Sequence, residues 1–174
     1  MKEVAAWADK GFDPSVMIFA DSAHADNDQA KSTACDLLVF QGGLVDHTSW
    51  VPPVVALSTA ESENNCYSAA IARMQFPLRA WKKIVFNQPD RPMTVPIMVD
   101  SEAAITMNES DNPTRRTRHI ESRFWCGREA VLRRLVQFVK VHGGTQQPAD
   151  PGTKSQTHEE TRYYRGLFEA VSYT

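Results

Sequence analysis

Asp21, Glu61, Asp100 and Asp150 each stand where an expected strand ends or where a loop or helix begins. Strands of an open α/β sheet that end on one edge converge on a common crevice, so acids at two strand ends can lie side by side. Crowded carboxylates repel one another, and their pKa values rise unless a cation sits among them. Oxygen donors with little His or Cys nearby favour a hard ion such as Mg²⁺ or Mn²⁺. A pair of such ions about 3.5–4 Å apart suits in-line phosphodiester hydrolysis, one activating water and the other stabilising the leaving oxygen. The residue types therefore point to a metal-dependent nuclease. The chain holds 21 acids, so placement alone leaves the plainer reading of solvated carboxylates open.

Those acids need a sheet to carry them. Ser15–Ala20 is a short apolar run ending in Asp21, the pattern of a buried strand. Two further apolar runs, Cys35–Phe40 and Leu44–Trp50, flank Gln41-Gly42-Gly43, a hairpin signal. From Ser58 the period changes: Tyr67, Ile71, Met74, Leu78, Trp81 and Val85 form the stripe of a long amphipathic helix. Pro77 inside that stripe is expected to kink or split it. Val95–Val99 is another strand, Ser101–Met107 a brief helix, Thr117–Arg134 a basic helix and Leu135–Val141 a last strand. Thr157 and Glu160 open a final helix as a capping box, with Tyr164, Leu167, Phe168 and Val171 on one face. The order βββ-α-β-α-α-β-α describes one mixed α/β domain over residues 14–174, with residues 1–13 as a leader or linker remnant.

The 174 residues are 42% hydrophobic and 23% charged, enough for a core of their own. A net charge of -2 excludes a histone-like basic binder, so any basic patch must be local. The longest uncharged stretch, Thr48–Ala60, holds two prolines and falls short of the roughly 18 apolar residues a span requires, while Glu3 and Asp9 spoil a signal peptide. The expectation is a soluble, unexported chain without a membrane partner. Cys35, Cys66 and Cys126 fit neither a disulfide framework nor a zinc knuckle and read as reduced, half-buried thiols.

Six short motifs are co-linear with one family. Val54-Val55-Ala56-Leu57-Ser58-Thr59-Ala60-Glu61-Ser62-Glu63, Asp100-Ser101-Glu102-Ala103-Ala104-Ile105, Thr117-Arg118-His119-Ile120-Glu121 with Arg128-Glu129, and Ala149-Asp150-Pro151-Gly152-Thr153-Lys154 resemble motifs of the ribonuclease H domain of copia-type retrotransposon polyproteins. Upstream, Lys31-Ser32-Thr33 and Gly42-Gly43 with Ser49-Trp50 resemble the same family's hairpin, so the likeness covers roughly residues 15–155. It implies a ribonuclease H-like fold, a five-stranded mixed sheet (antiparallel β1-β2-β3, then parallel β4 and β5) flanked by helices. It further implies an endoribonuclease that cuts the RNA strand of RNA–DNA hybrids with two Mg²⁺ ions, Mn²⁺ substituting. Carried over position by position, the metal carboxylates fall on Asp21, Glu61, Asp100 and Asp150. A histidine in the loop before the last aspartate assists in many ribonucleases H, which gives His142 a catalytic role. The partners implied are the hybrid and the reverse transcriptase of the same polyprotein, in an intracellular, cytoplasmic setting such as a virus-like particle.

The chain departs from the family pattern in places: Ala23 and His24 replace an Asp and a Trp, only Val51-Pro52-Pro53 separates Trp50 from the Val-Ala-Leu-Ser motif, and Asn64 replaces a Tyr. Ser58 to Glu61 is also a capping box, in which Glu61 holds a backbone N–H; Glu63 then becomes the fallback ligand. Asp100 and Asp150 have local readings as a helix cap and a turn former. Between residues 113 and 140 eight cations, Arg115, Arg116, Arg118, Arg123, Arg128, Arg133, Arg134 and Lys140, face two acids, Glu121 and Glu129. With Phe124 and Trp125 that excess suits a phosphate-tracking surface, and Arg115, Arg116, Arg118, Arg123 and Arg128 are the nucleic-acid contacts expected. His119 reads as a cap or packing residue of the basic helix. A catalytically silent nucleic-acid-binding module of the same fold is the alternative; a transposase or integrase would need longer inserts between the acids.

Overall fold

Three consecutive strands, β1 (Val16–Ala23), β2 (Thr33–Phe40) and β3 (Gly43–Trp50), form an antiparallel meander. The tight turn at Gln41-Gly42 carries positive φ at both residues, 53° and 78°, the geometry that glycine makes easy. β4 (Val95–Val99) and β5 (Val136–Lys140) add in parallel on the far side of β1, giving the order β3-β2-β1-β4-β5. In the computed structural model the described residues are 15–24, 31–53, 55–109, 121–143, 146–154 and 157–162. The expected leader, residues 1–13, lies outside them, as does most of the expected final helix; its capping box is present, with the Thr157 N–H donating to Glu160 Oε2 at 2.9 Å and the Glu160 N–H to Thr157 Oγ1 at 3.3 Å.

One face of the sheet packs on α1 (Thr59–Phe86), α2 (Glu102–Glu109) and α3 (Glu121–Leu132). Ile18, Leu38, Tyr67, Ile71, Met74, Leu78, Ile97 and Phe138 form its core. Tyr67, Ile71, Met74 and Leu78 of the expected stripe are buried, Trp81 half-buried, while Val85 at the last turn is 43% exposed. The chain does not split at Pro77: Met74 and Leu78, buried on either side, hold the helix together where one backbone hydrogen bond is missing. On the opposite face Met17, Phe19, Leu37, Val39, Met98 and Val139 form a second buried cluster. Pro96 is tolerated inside the sheet because the β1 pairing of β4 begins only at Ile97, so its missing N–H costs no bond to that neighbour.

Gly127 lets α3 approach α2. A Cβ at that position would stand 2.2 Å from Asn108 Oδ1, and Asn108 is 1% exposed. All three cysteines are free thiols, Cys35 and Cys66 buried and Cys126 half-buried. No helix among the described residues is long and apolar enough to cross a membrane.

Candidate active site

β1 and β4 are paired at Ile18–Ile97 and Phe19–Met98, and the pairing ends there. Asp21 and Asp100 lie two residues beyond the last pair on their respective strands, in the same register and pointing to the same face. β1 itself continues to Ala23 because its antiparallel pairing with β2 persists to Ala23–Thr33. Asp21 is thus held by one neighbour where it has parted from the other, which opens the crevice at the strand ends. Asp21 is 5% exposed, and its carboxyl is raised from 3.8 to about 6, first by burial and then by the charges of Asp100 and Asp150.

The third acid comes from the turn Asp150–Gly152, a single 3-10 turn packed on the face of the second cluster. A Cβ on Gly152 would stand 2.2 Å from Cys35 Sγ, so only glycine lets the turn sit this close to β2. Thr153 Oγ1 lies 2.8 Å from both Asp21 Oδ2 and the Asp150 carbonyl, tying the turn to β1. Gln147 Nε2 donates to the Ala20 carbonyl at 3.0 Å and to the Met98 carbonyl at 3.2 Å, bridging the two strands one layer below the acids. Lys154 pairs with Asp150 Oδ1.

The glutamate of the set is Glu63, and the structure corrects the expected register at Glu61. Ser58 Oγ accepts the Glu61 N–H at 3.2 Å, and Glu61 Oε2 accepts the Leu57 N–H at 2.7 Å, a reciprocal cap on the first turn of α1. Glu61 is thereby engaged at the backbone. Two residues on, about 200° around the axis, Glu63 is 6% exposed and feels the charges of Asp100 and Asp21. Burial is the largest cause raising its carboxyl from 4.5 to about 7; the Ser101 hydroxyl opposes it, as does the Tyr67 hydroxyl, which donates to Glu63 Oε2 at 3.3 Å. Ser101 also accepts the Ala104 N–H at 3.3 Å, so one side chain starts α2 and orients Glu63. A second cap-like contact, Ser22 Oγ to Ser62 Oγ, fixes the N-terminal end of α1 beside Asp21.

His142 is exposed, its N–H donating to Gln146 Oε1 at 3.0 Å and its Nδ1 lying 2.7 Å from the Gly143 carbonyl. Its loop reaches the acids through Gly143, where a Cβ would stand 2.9 Å from Asp100 Oδ2. Lys140 Nζ donates to the Asp100 carbonyl from the other side. Of the expected nucleic-acid contacts, Arg115, Arg116 and Arg118 lie outside the described residues, as does His119, and Arg123 falls in the first turn of α3. Arg128 is 8% exposed with its guanidinium 5.3 Å from the Trp125 ring centroid, so it packs inward instead of joining a solvent-facing basic surface. An open cleft of about 300 Å³ lined by Trp50, Pro52, Pro53, Asn65, Ser68, Ala69 and Cys126 lies on the opposite side of α1 from Glu63 and contains no carboxylate.

Asp21, Glu63, Asp100 and Asp150 offer only carboxylate oxygens, the donor chemistry of Mg²⁺ or Mn²⁺, and the two buried ones, Asp21 and Glu63, face further carboxylates. The donor set therefore fits the divalent metal. As the side chains stand, no group of three or more His, Cys, Asp or Glu among the described residues is close enough to hold one. Sequence reasoning missed Glu63 as first choice, along with Ser101, Gln147, Thr153 and Lys154. The signal for Glu63 was present, since a Ser58 cap consumes Glu61 and leaves the next acid on the buried face.

No family model matches the chain. It is 29% identical over 145 residues to the retrovirus-related Pol polyprotein from transposon TNT 1-94 of Nicotiana tabacum, a match covering 83% of this chain and 10% of that protein. The chain thus spans about a tenth of the length of that relative. Among solved structures it is similar to LC11-RNase H1 in complex with an RNA/DNA hybrid, with a TM-score of 0.58 at 13% identity over 79% of this chain and 93% of that one. It is also similar to RNase H1 from Halobacterium salinarum NRC-1, TM-score 0.54 at 15% identity over 79% and 93% of the two chains. The N-terminal RNase H domain of a Mycobacterium tuberculosis protein gives 0.55 at 8% identity over 90% and 95%. Strand order and these structural likenesses give the chain a ribonuclease H fold, and its sequence is similar to a segment of a retrotransposon Pol polyprotein.

Proposed function

We propose that the chain is an endoribonuclease that hydrolyses the RNA strand of RNA–DNA hybrids with divalent metal, Mg²⁺ or Mn²⁺ as its substitute. The observation that carries this reading is the convergence of Asp21, Glu63, Asp100 and Asp150 on the crevice where β1 and β4 part. The sequence likeness to a Pol polyprotein and the fold likeness to ribonucleases H support it. In that polyprotein context the reverse transcriptase would be the partner domain, and the setting an intracellular particle.

These four carboxylates would hold two ions, which supply a nucleophilic water and charge compensation for the leaving oxygen when bound. The chain's own residues prepare the site. Thr153 orients Asp21, Ser101 and Tyr67 orient Glu63, and Gln147 holds the strand ends at a set separation. The exposed His142 imidazole would exchange a proton at the crevice mouth once its loop, anchored at Gly143 against Asp100, meets the substrate. Recognition would rest on backbone shape and 2′-hydroxyls, since an A-form duplex offers a protein little base information.

Labelled RNA–DNA hybrid, RNA–RNA and DNA–DNA duplexes, each with and without Mg²⁺ or Mn²⁺, test the reading: cleavage confined to the RNA of the hybrid and dependent on metal is expected. A catalytically silent, nucleic-acid-binding module is the second reading, favoured by the spacing of the acids, which form no closed ligand group among the described residues as they stand. It would bind the hybrid and cleave nothing at any metal concentration.

A further inference from the structure

Lys154 ends the turn that carries Asp150, and its ammonium pairs with Asp150 Oδ1. The same charge is within electrostatic reach of Asp21 and Asp100. The two partners differ in anchorage. The Asp150 side chain is 16% exposed and stands on a turn locked by Thr153 and Gly152, whereas the Lys154 side chain is 54% exposed. A flexible four-carbon stem with half its surface in water can leave without disturbing the backbone. An ammonium and a divalent ion cannot both sit on Asp150 Oδ1 without strong repulsion.

We infer that Lys154 is an exchangeable counter-ion of the acid cluster: it holds Asp150 in the metal-free chain, is displaced from Asp150 by the incoming divalent cation, and so sets the affinity for that cation. The inference rests on the metal-dependent reading above and adds a determinant to it. Lys154 is a positioning residue here, acting through Asp150. Two consequences follow from charge alone. Removing the ammonium strengthens ion binding, and it leaves the metal-free cluster more self-repulsive.

Calorimetric titration of the full chain with Mg²⁺ alone and with Ca²⁺ alone, without nucleic acid, compares the parent with Lys154→Gln and Lys154→Arg. Lys154→Gln is expected to bind roughly 5- to 30-fold more tightly, the effect of losing one unit charge a few ångström from the ion at a partly wet site. Lys154→Arg keeps the charge and should stay near the parent. In EDTA the Gln variant should melt below the parent, and saturating Mg²⁺ should remove that difference. Equal or weaker binding by Lys154→Gln, or binding by Lys154→Arg as tight as by the Gln variant, overturns the inference while leaving metal dependence intact. Failure of the metal reading looks different: neither parent nor Lys154→Gln takes up Mg²⁺ or Ca²⁺, and both fall together. Because Lys154 is half exposed, folding of the variants is not at risk, and their circular dichroism confirms it.

Discussion

Two networks built on buried carboxylates lie against α1, and they are neutralised differently. On the β2–β3 side Arg73 Nη1 meets both oxygens of Asp36, at 2.9 and 2.8 Å, while Nη2 reaches Asp46 at 2.7 Å. At the strand ends Asp21 and Glu63 are equally buried but face other carboxylates, a few hydroxyls and one half-exposed lysine. Burial raises Asp36 to about 6 even against Arg73, and raises Asp21 to about the same value. Similar desolvation is thus met once by a planar cation bolted into the fold and once by groups that can make way. A fixed guanidinium builds structure; its absence leaves a site.

The largest effect that would sharpen this contrast is catalytic. Glu63→Gln or Asp100→Asn should lower metal-dependent hybrid cleavage by about a hundredfold to a thousandfold or more, the range for removing one group that stabilises developing charge, with the melting temperature in EDTA unchanged or slightly raised. A variant cutting at the parental rate would dissolve the site assignment. Next comes Arg73→Ala, which strands Asp36 in the core. Because the Arg73 side chain is itself 31% exposed, the loss should be about 2–3 kcal/mol, below the roughly 3–5 kcal/mol of a fully buried pair. Chemical denaturation measures it, and cleavage per folded molecule should persist at a permissive temperature.

A third effect is pH dependence in EDTA. Asp21 and Glu63, at about 6 and about 7, take up protons in the native state that the unfolded chain has already released. Their contribution is therefore full below about pH 4 and is lost as pH rises through 6 to 7, each group giving up at most about 1.4 kcal/mol for every pH unit crossed between its unfolded and folded pKa. Asp36 adds to the same slope. Saturating Mg²⁺ should flatten the part due to the acid cluster and leave the Asp36 part, so a slope identical with and without metal would erase the distinction between the two networks. The smallest effect separates the glutamates: Glu61→Gln should leave cleavage near parental and stability almost unchanged, and Glu61→Ala should cost about 0.5–2 kcal/mol as a lost cap. Should Glu61→Gln be inactive and Glu63→Gln active, the geometry at the start of α1 is misread.

Much of this was legible beforehand because period and punctuation report burial directly. The apolar runs before Asp21 and Asp100, the hairpin turn at Gln41-Gly42 and the Tyr67–Leu78 stripe all appear as read, and the five-stranded mixed sheet is the one the resemblance implied. Of the two outcomes expected at Pro77, the split does not occur, because side-chain packing outweighs one missing backbone bond. Glu61 misled because a motif aligned by letters ignores that two residues turn a helix through about 200°; the cap at Ser58 decides which acid faces inward. Arg128 misled because a charge count along the chain carries no information on which side chains of α3 pack inward. Thr153, Ser101 and Gln147 were invisible for a different reason: their partners are up to 132 residues away in sequence, and no local pattern encodes such contacts.

Gln147 also has a mechanical meaning. One amide spans the gap between Ala20 and Met98 just where the sheet stops holding β1 and β4 together, so it acts as a spacer whose length gauges the crevice mouth. The spacer belongs to the same segment as Asp150, with Ala149 N–H turned back onto Gln147 Oε1 at 3.4 Å. Opening the mouth and moving the last acid are consequently one motion, not two. Any transplant of the Asp150 turn into another scaffold would have to carry its own gauge with it.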